Sequence, residues 1–564
     1  MLNDAIRTIR KRFSKKESRE IAPDEIFLDT HNFPQFDTSQ FEGRIEKPIK
    51  KQTLLLLYAF IVLCGFVFLG RIGELQIQKG ALYTSISENN RLEHSVLFAD
   101  RGVIYDRNGI LLAWNKNNDS LDFSERVYAD SPGMAHLIGY IQYPLKDTTG
   151  KYYQETYIGK VGIEEAFNSS IAGENGLKIV ETNALGERTS ESVFRRSKNG
   201  TNITLSIDAR VEGELYRQLE RAAGNAPFQG GAGVLMDVWT GELLALVSFP
   251  EYRSGALLEG NAEVIQTYQE DPRKPFLNRT VSGLYSPGSI VKPFIALGAL
   301  EENTILPEKK IESTGALSVP NPYVPDKPSI FRDWKAHGWV DMEDALAVSS
   351  DIYFYTIGGG YGSQKGLGIA NIEKYMRLFG FGEKTGISLS SEAIGTIPSP
   401  AWKKETFEDG VWRIGNTYHT AIGQYGVEVT PIQAARATAA IANNGTLLSP
   451  SLIHSEAREG KHLAIQQEHF SIVQEGMRAA VTRGTAQGLS VSQVAIAAKT
   501  GTAEIGTEKK YVNSWVIGFF PYEEPRFAFA VVLERGPVTN LVGALSVMRG
   551  LIDWMSLHTR EYLE

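Results

Sequence analysis

Cysteine is almost missing from this chain: 564 residues contain one, Cys64, and it lies inside a long apolar run. No intrachain disulfide can form, and cysteine catalysis is excluded from the rest of the chain. An excess of basic charge is missing as well. With 58 Lys and Arg against 66 Asp and Glu, the formal net charge is −8, which argues against nucleic acid as a partner. Long hydrophobic stretches are lacking with a single exception. Between Gln52 and Gly70 there is no charged residue, and Leu54 to Leu69 is almost wholly apolar. A helix of that length rises roughly 28 Å, enough for a bilayer core. It starts about fifty residues in and has no small-x-small cleavage site, so it reads as an anchor rather than a cleaved signal. Arg44, Lys47, Lys50 and Lys51 crowd one flank, against Arg71 and Lys79 on the other. Positive-inside bias then leaves residues 1–51 cytoplasmic and the chain beyond about residue 73 outside.

A chain this long exceeds one ordinary core, so several domains are expected. Residues 5–16 interleave Arg7, Arg10, Lys11, Arg12, Lys15 and Lys16 with Ile6, Ile9 and Phe13. Two readings stay open there, a helix lying on anionic lipid and a solvated tail. Residues 73 to about 90 read as a continuing helix. From about 92 to 205 short strand-like runs alternate with turns, as in Leu177–Val180 and Ser192–Phe194 around the turn-rich residues 183–187. From 206 to 564 strands stand at both ends with helices between, the pattern of an antiparallel sheet flanked by helices. Residues 433–444 predict a small-residue core helix capped by Gly445.

Ser289-Ile290-Val291-Lys292 is the only Ser-x-x-Lys in the chain, and Pro293 marks the start of a helix there. Residues three apart share a helix face, so the Lys292 amine can reach the Ser289 hydroxyl and act as its base. Ser349-Ser350-Asp351 and Lys499-Thr500-Gly501-Thr502 follow. Lys-Thr-Gly also occurs at Lys384, but in a turn-like Gly-rich stretch, whereas Lys499 follows the strand-like run Val494–Ala498. Lys499 is therefore taken as the functional copy.

The ordered set Ser-x-x-Lys, Ser-x-Asp, Lys-Thr-Gly-Thr resembles the signature of penicillin-binding proteins and serine β-lactamases. The segment Arg101-Gly102-Val103-Ile104-Tyr105-Asp106-Arg107-Asn108-Gly109 and the residues around Gly233–Ala245 and Gly423–Pro431 extend the likeness to about residues 75–555. The chain is identified as resembling a class B penicillin-binding protein. Ser-x-Asp with Tyr353-Phe354-Tyr355, and Arg332-Asp333-Trp334-Lys335-Ala336-His337-Gly338, resemble the elongation branch more than the division branch.

The resemblance implies an α+β fold: a cytoplasmic tail (1–51), a transmembrane helix (52–72), a mainly β pedestal (73–205) and a β-lactamase-like transpeptidase domain (206–564). It implies a D,D-transpeptidase of the bacterial cell membrane, its catalytic domain on the outer side. Donor and acceptor stem peptides would be substrates, β-lactams inhibitors, and a polytopic glycosyltransferase of the shape, elongation, division and sporulation family a partner. No cofactor is implied. Ser289 would be the nucleophile and Lys292 the base. Lys499 would lower the affinity of Lys292 for its proton, and Ser349 would bridge the two lysines. Thr500, Gly501 and Thr502 would hold the donor carboxylate, and the N–H groups of Ser289 and Thr502 the oxyanion. Asp351 departs from the Asn usual in the superfamily. Such an anion either points away or pairs with one lysine and leaves the other neutral.

Some elongation-type members bind zinc near residues 332–338, and Asp333 and His337, an i, i+4 pair, could supply two ligands. With Leu346 and Val348 where a third ligand would come from, no metal is expected. A septal transpeptidase, a membrane-bound β-lactamase and a non-catalytic scaffold are the alternatives. A β-lactamase needs a water-activating base, and no recognisable Glu motif follows Ser349.

Overall fold

A computed structural model of the protein describes residues 49–84, 92–182, 188–321, 324, 326–456, 459–506, 508–540 and 542–564. It divides into two units, residues 1–90 and 91–564. In the first, the apolar run forms a helix, Lys51–Gly73, followed by a π-helical turn over Glu74–Gln78. It is apolar all round and none of its residues is buried, as befits a helix whose solvent is lipid. Length and composition suffice to cross a membrane. Its end is charged, with Arg71 and Lys79 both paired to Glu74. The basic stretch 5–16 and the turn 183–187 lie outside the described residues.

The second unit begins with two small sheets. Leu92–Leu97 and Arg188–Arg195 flank Gly176–Thr182. Ile203–Thr204, Ile104–Tyr105, Leu111–Lys116 and Glu125–Tyr128 form a four-stranded sheet in that order. The Arg101–Gly109 segment ties them to the rest. Arg101 and Arg126 share the buried carboxylate of Glu164. Asp106 accepts from the N–H of Ala209 at 3.1 Å, Arg107 pairs with Glu242 at 3.0 Å, and Asn108 donates to Asp208 at 2.9 Å. Polar residues recur here because each meets a helix start or a charge across the joint.

The larger sheet has five strands: β1 (Gly230–Asp237), β2 (Leu243–Phe249), β3 (Ala497–Ile505), β4 (Tyr511–Phe520) and β5 (Phe527–Pro537). Their order is β2-β1-β5-β4-β3, antiparallel throughout. Both faces are covered, so β1, β2 and β5 read as near-continuous apolar runs. Successive side chains alternate between two cores. Leu235, Val531 and Leu533 meet Leu215 and Leu219 of the helix Ala209–Asn225 and Val547 and Leu551 of the helix Ala544–His558. Val211, Leu215, Leu219 and Ala222 share one face of the first helix, and each buried leucine contributes about 1.5–3 kcal/mol.

Val234, Met236, Ala530 and Val532 face the opposite core, which includes the helix Pro431–Ala442. All of that helix is buried, and its alanines let it lie close against the sheet. Thr430 and Gln433 form its capping box. Its far end departs from the sequence expectation: the helix stops at Ala442, and Asn444, at φ 57°, takes the left-handed position before Gly445. Asn tolerates that region because its short amide bonds locally.

Candidate active site

Ser289 lies in a 3-10 turn, Gly288–Val291, that leads into the helix Lys292–Glu301 with Pro293 in its first turn. Two glycines bring this turn against β3. Gly288 has φ 58°, and a Cβ there would sit 2.8 Å from the carbonyl oxygen of Thr502. A Cβ on Gly501 would sit 2.7 Å from the carbonyl oxygen of Pro287. The preceding residues are pinned too: Tyr285 exchanges backbone bonds with Val429, and the Trp515 indole donates to the Ser286 carbonyl.

Lys292 is fully buried and donates three hydrogen bonds: to Ser349 O at 2.8 Å, to Ser349 Oγ at 3.2 Å and to Asp351 Oδ1 at 2.7 Å. All three ammonium hydrogens are used, none on Ser289. The backbone explains the convergence. The helix Met342–Val348 ends at Ser349 in the left-handed conformation, φ 58° and ψ 43°. Ser350 then caps a new helix, Asp351–Gly359, by accepting from the Tyr353 N–H. That reversal presents the Ser349 carbonyl, its hydroxyl and the Asp351 carboxylate to one amine.

Lys499, on β3, is also fully buried and donates to Thr500 O at 3.0 Å. Burial first, and the neighbouring Lys292 second, hold its amine well below the ordinary lysine range, with Asp351 opposing them. Asp351 does not point away from the lysines: it pairs with Lys292. Along β3, Lys499, Gly501 and Ala503 point inward while Thr500 is half-buried and Thr502 exposed.

A groove of about 760 Å³ is lined by Ser289, Ser349, Asp351, Thr500, Gly501 and Thr502, with the two lysines beneath it. Lys384 is exposed on a turn outside it. Two further lining residues escaped the sequence reading as site residues. Thr485 follows the helix Gln467–Arg483, and its Oγ1 lies 2.7 Å from Thr500 Oγ1. No local pattern announces it. Trp334 is 58% exposed at the rim, its indole N–H donating to Val348 O at 3.3 Å. Beside it Asp333 faces His337 at 3.5 Å, and among the described residues no third His, Cys, Asp or Glu joins them. Burial first holds the His337 ring below its ordinary range.

A serine at a helix start over two buried lysines, beside a hydroxyl-lined strand edge, defines a cleft for serine acyl transfer. The chain belongs to the penicillin-binding protein transpeptidase family, whose domain matches residues 231–547, and the penicillin-binding protein dimerisation domain matches residues 122–205. It is 29% identical to peptidoglycan D,D-transpeptidase MrdA of Acinetobacter baumannii, over 90% of this chain and 87% of that protein. Among solved structures it resembles Pseudomonas aeruginosa PBP2 in complex with WCK 5153, at 29% identity and TM-score 0.68, covering 84% of this chain and 98% of that one. It also resembles the Helicobacter pylori PBP2 of a complex with MreC, at 26% identity and TM-score 0.69, covering 83% and 99%.

Proposed function

We propose that the protein is a peptidoglycan D,D-transpeptidase that crosslinks stem peptides through a serine acyl-enzyme in cell elongation and shape maintenance. The carrying observation is Lys292 bonded to Ser349 and Asp351, with a second buried amine, Lys499, beside it, beneath the groove that holds Ser289. The names MrdA and PBP2 borne by its relatives support the substrate and the elongation role.

Ser289 Oγ attacks the carbonyl carbon between the two terminal D-alanines of a donor stem, and Lys292 takes its proton. Lys292 has no free acceptor while Asp351 and Ser349 hold all three of its hydrogens. It therefore passes one proton through Ser349 Oγ to Lys499 as it takes the new one. Collapse of the tetrahedral intermediate breaks the C–N bond. Ser349 returns a proton to the leaving amine, and D-alanine departs. The amine of an acceptor stem then attacks the ester, the bond to Ser289 Oγ breaks, and an amide crosslink forms as Oγ recovers its proton. The N–H groups of Ser289 and Thr502 are assigned to the oxyanion, and Thr500, Gly501 and Thr502 to the donor carboxylate.

The reading places residues 1–51 in the cytoplasm, 52–72 in the membrane, 73–205 as pedestal and 206–564 as the transpeptidase domain on the outer side. The basic flank of Lys50 and Lys51 supports this orientation. A polytopic glycosyltransferase of the shape, elongation, division and sporulation family is the proposed partner, since new glycan must be laid down where it is crosslinked.

The test is to label the purified full chain with a fluorescent penicillin, locate the adduct by peptide mass spectrometry, and assay D-alanine release with paired stem peptides. A long-lived adduct on Ser289, absent from Ser289→Ala, with crosslinked product, is expected. Rapid drug turnover would make this a β-lactamase, and no adduct together with no crosslinking would make it a scaffold.

A further inference from the structure

Among the described residues, Asp333 is a buried carboxylate beside the groove with no part in the mechanism above. Its side chain is wholly buried, yet it lies on an irregular stretch between the strands Ser329–Arg332 and Gly338–Val340. Burying a carboxylate is costly unless its lone pairs are satisfied. Here they are: Oδ2 accepts from Ser350 Oγ at 2.8 Å, from the Ile352 N–H at 3.0 Å and from Ser313 Oγ at 3.0 Å. Oδ1 accepts from the Trp334 N–H at 2.9 Å.

Two of these donors, Ser350 Oγ and the Ile352 N–H, flank Asp351 and follow directly on Ser349. Ser350 is bound on both sides, donating to Asp333 while its oxygen accepts from the Tyr353 N–H at 3.3 Å. The left-handed Ser349 is strained for a residue with a Cβ, and such a conformation persists only where its surroundings over-determine it. The Asp333 carboxylate supplies that constraint. It anchors the first turn of the Asp351–Gly359 helix, where an anion is also favoured by the free N–H groups.

We propose that Asp333 is a positioning residue for acyl transfer: its carboxylate fixes the Ser349-Ser350-Asp351 turn so that the Ser349 hydroxyl and the Asp351 carboxylate meet the Lys292 amine. This rests on the reading of Ser289, Lys292 and Ser349 given under the proposed function. Asp333 and His337 have no third His, Cys, Asp or Glu beside them among the described residues. The carboxylate's lone pairs are committed to the turn rather than held open. Burial raises the carboxyl's affinity for a proton, but the Ile352 and Asp351 N–H groups, Ser350 and Lys292 outweigh it and keep the anion. The groups facing it are His337, Lys292, Asp351 and the Tyr355 hydroxyl.

The experiment compares second-order acylation of Ser289 by fluorescent penicillin across pH 5.5–9 for the wild-type full chain, Asp333→Asn, Asp333→Ala and Ser350→Ala, with melting temperatures beside each. Misplacing a reacting group by about 1 Å costs about 10²-fold, so Asp333→Ala is expected to lose acylation on that order. Asp333→Asn keeps an acceptor toward Ser350 and Ile352. It should recover a large part of the rate while shifting the acid limb of the pH profile to lower pH, because a buried anion facing Lys292 is gone. Ser350→Ala should show a partial loss without that pH shift. Wild-type rates and pH profiles in both Asp333 variants would overturn the inference. So would losses that follow the melting temperature alone, with Asp333→Asn restoring rate and stability and leaving the pH profile unmoved. Failure of the wild type to label on Ser289 would instead refute the underlying active-site reading.

Discussion

Glu212 provides a stability prediction whose size follows from the structure. It lies in the first turn of the helix Ala209–Asn225, fully buried, with Oε2 accepting from the Leu246 N–H at 2.7 Å and Oε1 without a partner among the described residues. Burial pushes its carboxyl up to about 8, against an ordinary 4.5, with the Leu246 bond opposing and Glu251 adding to the rise. A group whose folded value is raised lends full stability below its unfolded value and loses it as pH climbs through the folded one. The window is therefore about pH 4.5 to 8 and just beyond. The total loss is about 5 kcal/mol, of which about 3 is already spent at pH 7.

Glu212→Gln never ionises and keeps an acceptor for Leu246, at a cost of about 1–3 kcal/mol for an amide group left unpartnered. The variant should thus be level with or slightly below wild type at pH 5.5 and more stable at pH 8.5, by about 2–4 kcal/mol. Urea unfolding of the full chain in detergent, followed by tryptophan fluorescence at pH 5.5, 7.0 and 8.5, reads this directly. The variant's advantage must grow with pH. A difference that stays constant or shrinks would refute the assignment of a neutral, desolvated carboxyl to this site.

Two further predictions concern the groove. Asp351 is the group that opposes the lowering of Lys499, so Asp351→Asn should let Lys499 shed its proton at still lower pH. The acid limb of penicillin acylation then moves to lower pH, and an unmoved limb would show that Asp351 does not act on the lysine pair. Gly501→Ala puts a Cβ 2.7 Å from the Pro287 carbonyl oxygen and 3.2 Å from the Ile290 nitrogen, so the nucleophile turn must shift. Acylation should fall by about 10²-fold in a protein that still melts cooperatively, as stopped-flow labelling would measure.

The parts of this molecule legible in advance were those whose physics is local. The charge-free run Gln52–Gly70 is a membrane-length helix by composition, and Pro293 marks the start of the helix that carries Lys292. The contacts that decide the chemistry are not local. Whether Asp351 pairs with Lys292 or turns away depends on the left-handed backbone at Ser349, which no serine advertises. Asp333 looked like half of a metal site because i, i+4 spacing shows only which residues are neighbours. Its partners, Ser313 and Ser350, come from separate elements. Thr485 reaches Thr500 only because a helix end packs beside β3, and Glu212 becomes a neutral acid only when a sheet closes over it. Burial and tertiary pairing set these properties, and neither has a period to read.

The strand order of the larger sheet separates the nucleophile from the far wall of its groove along the chain. β1 pairs along its whole length with β5, Val234 facing Ala530, so the centre of the sheet joins segments about three hundred residues apart. Lys499 and the threonines arrive on β3, which is held only through β4. During synthesis Ser289 therefore emerges about two hundred residues before the strand that forms one wall of its groove. A chain broken off before residue 497 carries the nucleophile, its helix and Lys292, but no second lysine, no carboxylate cradle and no closing edge. The groove is whole only once β3 has paired with β4.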